Sequence, residues 1–132
     1  MYLIDTSVLI DYLRGEQTKP AEKFQTLIDQ GIPFGINEII YMEVLQGARD
    51  YKEFKILKDY LSSQKFYNLR SEIAFYEDAA SIYIDCRRKG LIISSSINCL
   101  IAQNALDHDL ILMHNDKDYV SISKVRPLKF VN

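Results

Sequence analysis

Residues 2–13 read Tyr-Leu-Ile-Asp-Thr-Ser-Val-Leu-Ile-Asp-Tyr-Leu, and this stretch indicates the fold class. Its first three residues are apolar and stop at Asp5, a residue type that often caps the start of a helix. Val8, Leu9 and Leu13 then recur with helical spacing. The sequence therefore predicts a short buried strand that leads directly into a helix.

Strand-like and helix-like segments alternate along the rest of the chain. Strands are predicted at residues 33–36, 66–69, 110–113 and 128–131, and helices at 20–29, 38–49, 51–61, 72–89 and 97–108. This alternation predicts an α/β three-layer sandwich, with a mostly parallel central sheet flanked by helices. No repeat or linker divides the 132 residues, so we expect one domain that spans residues 1–132.

The composition is that of a globular protein without a broad basic surface. Hydrophobic residues make up 48%, charged residues make up 26%, and the formal net charge is -2. Proteins that bind nucleic acid over a wide surface are usually basic, so any such contact here needs a local patch or metal ions. The chain shows neither a signal peptide nor an apolar stretch of membrane-spanning length, and we expect a cytoplasmic protein with no membrane partner.

The cysteines and histidines do not form a recognisable metal-binding pattern. Cys86 and Cys99 stand in apolar, helix-like surroundings without a CxxC arrangement, which indicates buried free thiols. His108 and His114 have no second histidine or cysteine at ligand spacing. We therefore predict neither a zinc site nor a disulfide framework.

Polar side chains stand where the predicted strands end. Asp5 follows the first strand, and Asp116 and Asp118 follow a later one. Glu43 lies inside an otherwise apolar helix, and Asn98 lies in the first turn of another. Each has an ordinary structural explanation by itself, as a helix cap, a turn residue or a solvated position. Because parallel strands end at one edge of a sheet, however, Asp5 and Asp116 are expected to converge.

Carboxylates that are packed together repel one another, and each raises the pKa of its neighbours. A divalent cation relieves this repulsion, and a site built from oxygen ligands suits Mg²⁺ or Mn²⁺ better than zinc. Such an ion lowers the pKa of a bound water and offsets the charge of a scissile phosphate. The pattern therefore predicts a metal-dependent site for phosphoryl transfer.

Four segments resemble, in order and spacing, the motifs of VapC toxins, which are PIN-domain ribonucleases. They are residues 3–11 (LIDTSVLID), 42–48 (MEVLQGA), 95–102 (SSINCLIA) and 112–119 (LMHNDKDY). The resemblance covers essentially the whole chain. It implies a PIN-like fold and an Mg²⁺- or Mn²⁺-dependent endoribonuclease. It also implies a cognate VapB-type antitoxin whose C-terminal segment covers the active site, and a homodimer.

The resemblance also implies roles for particular residues. The catalytic positions are Asp5, Glu43, Asn98 and Asp116, of which Asp5, Asn98 and Asp116 are the metal ligands, and the supporting residues are Thr6, Ser7 and Asp118. The target RNA and the cleavage position do not follow from the resemblance.

Position 98 departs from the family pattern, which has aspartate where this chain has Asn98. The amide removes one negative charge, and its NH₂ group cannot accept a hydrogen bond. Two explanations are open: a substitution introduced to inactivate a toxic nuclease, or a natural variant. The intact motif around Asn98 and the near-isosteric replacement favour the first. We predict an attenuated ribonuclease; the alternative is a catalytically dead PIN domain that only binds antitoxin.

Basic residues are concentrated in one run. Arg87, Arg88 and Lys89 end the predicted helix 72–89, and Lys117 stands between the two closing aspartates. The run either stabilises a helix C-terminus or contacts RNA phosphates close to the site. Lys117 is a second candidate for such a phosphate contact.

One apolar helix face has more than one interpretation, and part of the same surface is a candidate for dimerisation. Tyr41, Phe54, Leu57 and Leu61 either belong to the core or receive an amphipathic antitoxin helix. Ile73, Tyr76, Ala80 and Tyr83 form one stripe on the helix predicted at residues 72–89.

Two other enzyme and signalling classes with an aspartate after a first strand are excluded. A haloacid-dehalogenase-type phosphatase needs a second aspartate two residues after Asp5, and that position is Ser7. A response-regulator receiver needs a phospho-accepting aspartate after its central strand and a lysine after a later strand, and neither is in register here.

Overall fold

The computed structural model describes residues 1–132 as five short strands and seven helices. The strands are β1 (Tyr2–Ile4), β2 (Phe34–Ile36), β3 (Lys65–Phe66), β4 (Ile111–Met113) and β5 (Lys129–Val131). The helices are α1 (Thr6–Leu13), α2 (Lys19–Asp29), α3 (Glu38–Gln46), α4 (Tyr51–Leu61), α5 (Ile73–Arg88), α6 (Ile97–Asp107) and α7 (Lys117–Ile122).

All five strands run parallel in a single sheet with the order β3-β2-β1-β4-β5. The central strand β1 is covered on both faces, and Leu3 and Ile4 are fully buried. Helices α1 to α4 pack on one another, as do α5, α6 and α7. The predicted α/β sandwich is confirmed, and its sheet is entirely parallel.

The pairing of β1 with β4 positions the polar residues that follow these two strands. Ile4 is the register partner of Met113, and the Asp5 N–H donates to the Met113 carbonyl at 2.9 Å. Asp5 and His114 therefore leave the sheet side by side. This edge is where α/β sheets generally carry their binding sites.

Several predicted boundaries are wrong by a few residues, and one helix was not predicted. The predicted helix 38–49 ends at Gln46, and only Lys65–Phe66 is extended near the predicted strand 66–69. Helix α7 begins directly after Asp116, whose side chain accepts from the Asp118 N–H at 2.9 Å. The segment interpreted as a turn is therefore an N-cap followed by a short helix.

Residues of the candidate apolar face lie partly in the core and partly at a surface groove. Leu61 is fully buried in the core, and the Tyr41 ring packs edge-on against Phe66, with centroids 5.5 Å apart. Of the four residues, Leu57 lines an open groove between α1, α3 and α4. The stripe Ile73, Tyr76, Ala80 and Tyr83 faces solvent, and α5 buries Phe75, Ala79, Ile82 and Cys86 instead.

The thiols are buried, and the helices are too short or too polar to span a membrane. Cys86 and Cys99 are buried free thiols, as predicted. None of the seven helices combines the length and the apolar content that crossing a membrane requires.

Candidate active site

Asp5 is buried at the start of α1, where it caps the helix. Its Oδ2 accepts from the Ser7 N–H at 3.0 Å and from the Ser7 hydroxyl at 2.5 Å. Its Oδ1 accepts from the Tyr119 hydroxyl at 2.7 Å. Both oxygens of the carboxylate are therefore held by neutral donors.

Asn98 links Asp116 and Asp118 through its amide. Its Nδ2 donates to Asp116 Oδ2 at 3.1 Å and to Asp118 Oδ2 at 2.9 Å. Because both partners are carboxylates, they fix which end of the amide faces them: the NH₂ group points to the aspartates, and Oδ1 lies 3.0 Å from the Tyr119 hydroxyl. Asp5, Asn98, Asp116, Asp118 and Tyr119 thus form one hydrogen-bonded network.

Asp118 is fully buried and holds the loop that precedes α6. It accepts from the Ser94 N–H at 3.0 Å, the Ser94 hydroxyl at 2.9 Å and the Ser95 N–H at 3.1 Å. Burial alone would raise the pKa of Asp118, but the hydrogen bonds from Ser94, Asn98 and Ser95 outweigh burial and keep that pKa below its usual value. Asp118 therefore links the side chain of Asn98 to this loop.

Glu43 approaches the site from α3. Its Oε1 accepts from the Thr6 hydroxyl at 2.7 Å, which joins α3 to the first turn of α1. No protein donor contacts its Oε2. The side chain is half-buried, so Glu43 is more accessible than Asp5.

Sequence reasoning missed the hydroxyl of Tyr119 and the role of His114. Tyr119 is fully buried, and a buried tyrosine generally needs a hydrogen-bond partner for its hydroxyl. The tyrosine in the motif at residues 112–119 could therefore have indicated a hydrogen bond within the site. His114 Nδ1 lies 3.1 Å from the Asp116 N–H, which donates to it. Burial lowers the pKa of His114 to about 4, and His114 is therefore neutral at pH 7.

The acidic side chains form no ion pair that would balance their charge. Burial raises the pKa of Asp5 most, and the charge of Asp116 raises it further, against hydrogen bonds from Ser7 and Tyr119. Burial likewise raises the pKa of Glu43, with added repulsion from Asp5 and Asp116. None of the ion pairs in the structure involves these carboxylates. The site therefore concentrates uncompensated negative charge.

The charge and the donor types of the site suit a hard divalent cation, because uncompensated carboxylates favour such an ion. As the side chains stand, however, no three His, Cys, Asp or Glu residues are grouped so that they could hold a metal ion. The oxygens of Asp5 and Asp116 are engaged by Ser7, Tyr119, Asn98 and the Asp118 N–H. A bound ion would have to displace some of these donors.

The predicted RNA-contacting residues do not touch the carboxylates. Arg87 lies over the ring of Tyr83, 6.0 Å from its centroid, and Lys89 Nζ donates to the Lys124 carbonyl at 3.3 Å. Arg88 and Lys117 are exposed. The basic run therefore lies near the C-terminal end of α7, and Lys117 lies beside the site.

Replacing Asp5 by asparagine is expected to raise the free energy of unfolding by about 1 kcal/mol at pH 7 in EDTA, because it removes a buried, uncompensated charge. Asparagine caps a helix as well as aspartate does. Since the pKa of Asp5 is raised on folding, its charge destabilises the fold above that pKa. The difference in stability between Asp5→Asn and the unsubstituted chain should therefore narrow as the pH falls through the pKa of Asp5. Urea unfolding at several pH values measures this.

The matched control is Asp59→Asn, which removes an exposed aspartate from α4 and is expected to change stability by less than about 0.5 kcal/mol. A loss of stability in Asp5→Asn at pH 7 would contradict the prediction.

Three kinds of comparison relate this chain to known proteins. The model of the PIN domain family matches residues 2–125. The VapC ribonuclease Mb1587 of Mycobacterium bovis is 32% identical over 130 residues, which are 98% of this chain and 96% of the relative. The ribonuclease VapC11 of Mycobacterium tuberculosis matches with the same identity and coverage.

Solved structures share the fold. A VapBC2 complex from Rickettsia felis, bound to a DNA fragment of its promoter, superposes with a TM-score of 0.75 at 17% identity and covers 99% of this chain and 97% of the matched chain. A toxin–antitoxin complex from Klebsiella pneumoniae gives a TM-score of 0.70 at 24% identity and covers 100% and 97%. The family model and the mycobacterial relatives show that this chain belongs to the PIN-domain family and, within it, to the VapC proteins.

Proposed function

We propose that this chain is the toxin component of a type II toxin–antitoxin pair and an Mg²⁺- or Mn²⁺-dependent endoribonuclease that acts in the cytoplasm. Asn98 attenuates its activity. The observation that carries the proposal is the group of Asp5, Glu43 and Asp116 at the edge of β1 and β4, which lacks any basic partner. The relatives named as ribonucleases support RNA as the substrate.

In this proposal Asp5, Asp116 and the Asn98 carbonyl oxygen hold the divalent ion. When bound, such an ion offsets the charge of the scissile phosphate and lowers the pKa of the attacking water. The cation would replace some of the neutral donors that these aspartate oxygens now accept from. Asn98 contributes no negative charge to this site, and an amide oxygen is a weaker ligand than a carboxylate for a hard cation.

The protein groups around the ion have separate tasks. Ser7 and Tyr119 orient the carboxylate of Asp5 from both sides. Thr6 fixes Oε1 of Glu43 and leaves Oε2 free to accept a proton from the attacking water. Because burial raises the pKa of Glu43, this residue is better suited to take up a proton than an exposed glutamate would be.

The purified chain is expected to cleave single-stranded RNA slowly with Mg²⁺ or Mn²⁺, and not at all with EDTA. Asp116→Asn should reduce the remaining rate by at least about 10-fold, because a second ligand loses its charge. Gel analysis of end-labelled RNA measures both effects. Cleavage that continues at the same rate in EDTA would point to a contaminating nuclease or a metal-independent reaction and would refute the proposed chemistry.

A catalytically dead, antitoxin-binding PIN domain is the second candidate function. The observation in its favour is that the Asn98 amide satisfies Asp116 and Asp118 without any ion. Incubation of the unsubstituted chain with RNA and Mg²⁺, with and without EDTA, distinguishes the two functions, because only the attenuated enzyme should cleave the RNA.

We also propose that an amphipathic helix of a VapB-type antitoxin binds in the groove between α1, α3 and α4. The groove has a volume of about 560 Å³. Leu13, Ile56 and Leu57 contribute apolar surface, and Arg14 adds positive charge at its lining. Arg49 also lines the groove, where it forms an ion pair with Glu53. A groove of this kind suits a helix with one apolar face and acidic flanks. The toxin–antitoxin complexes among the structural relatives support this partner.

Replacing Ile56 by glutamate is expected to weaken antitoxin binding by at least about 10-fold, because it places a charge in an apolar contact. Ile56 is 61% exposed, so the fold should tolerate the change. Calorimetric titration with the cognate antitoxin measures the affinity. Ile92→Glu, at an isoleucine that is 86% exposed outside the groove, is the matched control. Equal loss in both variants, or in neither, would contradict the assignment of the groove.

RNA phosphates are proposed to contact Arg87, Arg88, Lys89 and Lys117, which supply a local basic patch on a chain of negative net charge. A homodimer is proposed as the assembled form.

A further inference from the structure

The Tyr119 hydroxyl contacts two of the groups that are proposed to hold the divalent ion. It lies 2.7 Å from Asp5 Oδ1 and 3.0 Å from the carbonyl oxygen of Asn98. A tyrosine hydroxyl keeps its single proton at pH 7, so two acceptors share one donor here. The carboxylate is both the nearer and the stronger acceptor. Asp5 therefore receives most of this hydrogen bond, and Asn98 Oδ1 is left with the weaker share.

The other backbone donors to the site aspartates belong to helix caps. Asp5 Oδ2 accepts from the Ser7 N–H at the start of α1, and Asp116 Oδ1 accepts from the Asp118 N–H at the start of α7. An ion that displaced these donors would leave the first turns of two helices without their caps. The Tyr119 hydroxyl caps no helix, and no other protein donor contacts Asp5 Oδ1. Asp5 Oδ1 is therefore the oxygen that an ion can bind with the least disturbance of the fold.

The hydroxyl has no other acceptor to turn to. Tyr119 is fully buried, and its ring packs against His114 with the centroids 4.9 Å apart. Asp5 and Asn98 are its only hydrogen-bond partners. If both oxygens bound an ion instead, the hydroxyl would remain in the interior without an acceptor, which is unfavourable. A phenylalanine at position 119 would not oppose the ion in this way.

We infer that the Tyr119 hydroxyl competes with the divalent ion for Asp5 and Asn98, and that it thereby sets the metal concentration at which the site fills. This inference rests on the proposed metal site and names a residue that regulates its occupancy. In the metal-free protein, the same hydroxyl gives the buried carboxylate of Asp5 a hydrogen bond that it needs. One contact thus stabilises the metal-free fold and weakens metal binding.

The opposite role is a hydroxyl that stays bonded to Asp5 and orients it toward the ion, because a carboxylate oxygen can accept from more than one side. The two roles differ in sign. Loss of the hydroxyl strengthens metal binding if the hydroxyl competes, and weakens it if the hydroxyl orients. Competition is favoured because this one hydroxyl is in contact with both Asp5 Oδ1 and Asn98 Oδ1, the two oxygens that an ion would have to share.

Replacing Tyr119 by phenylalanine is expected to lower the Kd for Mn²⁺ by at least about 10-fold, the size of one hydrogen bond to a charged group. Calorimetric titration of the full chain with Mn²⁺ alone measures the Kd. Tyr67→Phe is the matched control, because Tyr67 is also buried and its hydroxyl contacts the Met1 sulfur, at 3.4 Å, instead of a carboxylate. Its Kd should equal that of the unsubstituted chain.

Two further readouts do not depend on RNA cleavage. In EDTA, Tyr119→Phe should be less stable to urea than the unsubstituted chain, because Asp5 loses a hydrogen bond in the interior. Saturating Mn²⁺ should then raise the melting temperature of Tyr119→Phe more than that of the unsubstituted chain. Mn²⁺ should also change the tyrosine absorption spectrum of the unsubstituted chain and of Tyr67→Phe, since the hydroxyl loses its charged acceptor, but not that of Tyr119→Phe.

The outcomes separate this competition from the metal site itself. If the unsubstituted chain binds Mn²⁺ and Tyr119→Phe binds it equally or more weakly, the competition is overturned and the metal site stands. If neither protein binds Mn²⁺ at millimolar concentration, the proposed metal site fails and the inference fails with it. Binding by Tyr119→Phe alone, or tighter binding by Tyr119→Phe than by Tyr67→Phe, would support the competition.

Discussion

Replacing Asn98 by aspartate is expected to raise the rate of Mg²⁺-dependent RNA cleavage by about 10²- to 10³-fold, which is the effect of one preorganised charged or polar group at such a site. The aspartate restores a negative charge and a second anionic oxygen beside Asp116. It also removes the NH₂ group that now occupies one oxygen each of Asp116 and Asp118. Single-turnover cleavage of a labelled RNA, with the metal varied, measures the change in rate.

Two variants control this experiment. Asn115→Asp adds the same charge at an exposed neighbour of Asp116 and should not raise the rate. Asn98→Asp combined with Asp116→Asn should lose most of the gain. Mg²⁺ should also raise the melting temperature of Asn98→Asp more than that of the unsubstituted chain, which is a readout independent of cleavage. Equal cleavage with asparagine and aspartate at position 98 would refute the attenuated enzyme.

Replacing Asp118 by alanine is expected to lower the free energy of unfolding by about 3 kcal/mol, the size usual for breaking a buried, charge-assisted network. The substitution leaves the N–H groups of Ser94 and Ser95 and one amide hydrogen of Asn98 without their acceptor. Urea unfolding in EDTA at pH 7 measures the loss. Asp59→Ala, at an exposed position of α4, serves as the control.

The effect of Asp118 should depend on pH in a defined direction. Its pKa is lower in the folded protein than in the unfolded chain, so its stabilisation is present above the unfolded value. That stabilisation is lost as the pH falls through the folded pKa. The advantage of the unsubstituted chain over Asp118→Ala should therefore shrink below about pH 4, near the ordinary pKa of an aspartate. A loss under about 0.5 kcal/mol at pH 7 would show that the loop does not depend on this carboxylate.

The placement of the acidic residues was predictable because it follows from the backbone. Asp5 ends the central strand, and Asp116 follows the strand beside it, so a parallel sheet puts both at one edge. The hydrogen bonds were not predictable in the same way. Which oxygen meets Tyr119, and which way the Asn98 amide turns, depends on side-chain packing between α6 and α7.

The errors in the sequence analysis have a common physical cause. Helix α7 was overlooked because Asp116 suits a turn as well as an N-cap, and six residues are too few for a clear apolar repeat. The stripe on α5 and the face that includes Leu61 were ambiguous because a repeat identifies an apolar face but not its partner. Leu61 faces the core, whereas Tyr76 faces solvent. Only the tertiary structure distinguishes these two cases.

The order of the strands determines when the acidic site can assemble during synthesis of the chain. Strand β1 is made first, but its neighbour β4 begins only at Ile111, and Asp116 follows still later. Ribosomes add about 5–20 residues per second, so roughly 5–20 s separate the two halves of the acidic edge. During that interval the growing chain carries Asp5 without its counterpart. The acidic edge is therefore assembled only after the last strands have been synthesised.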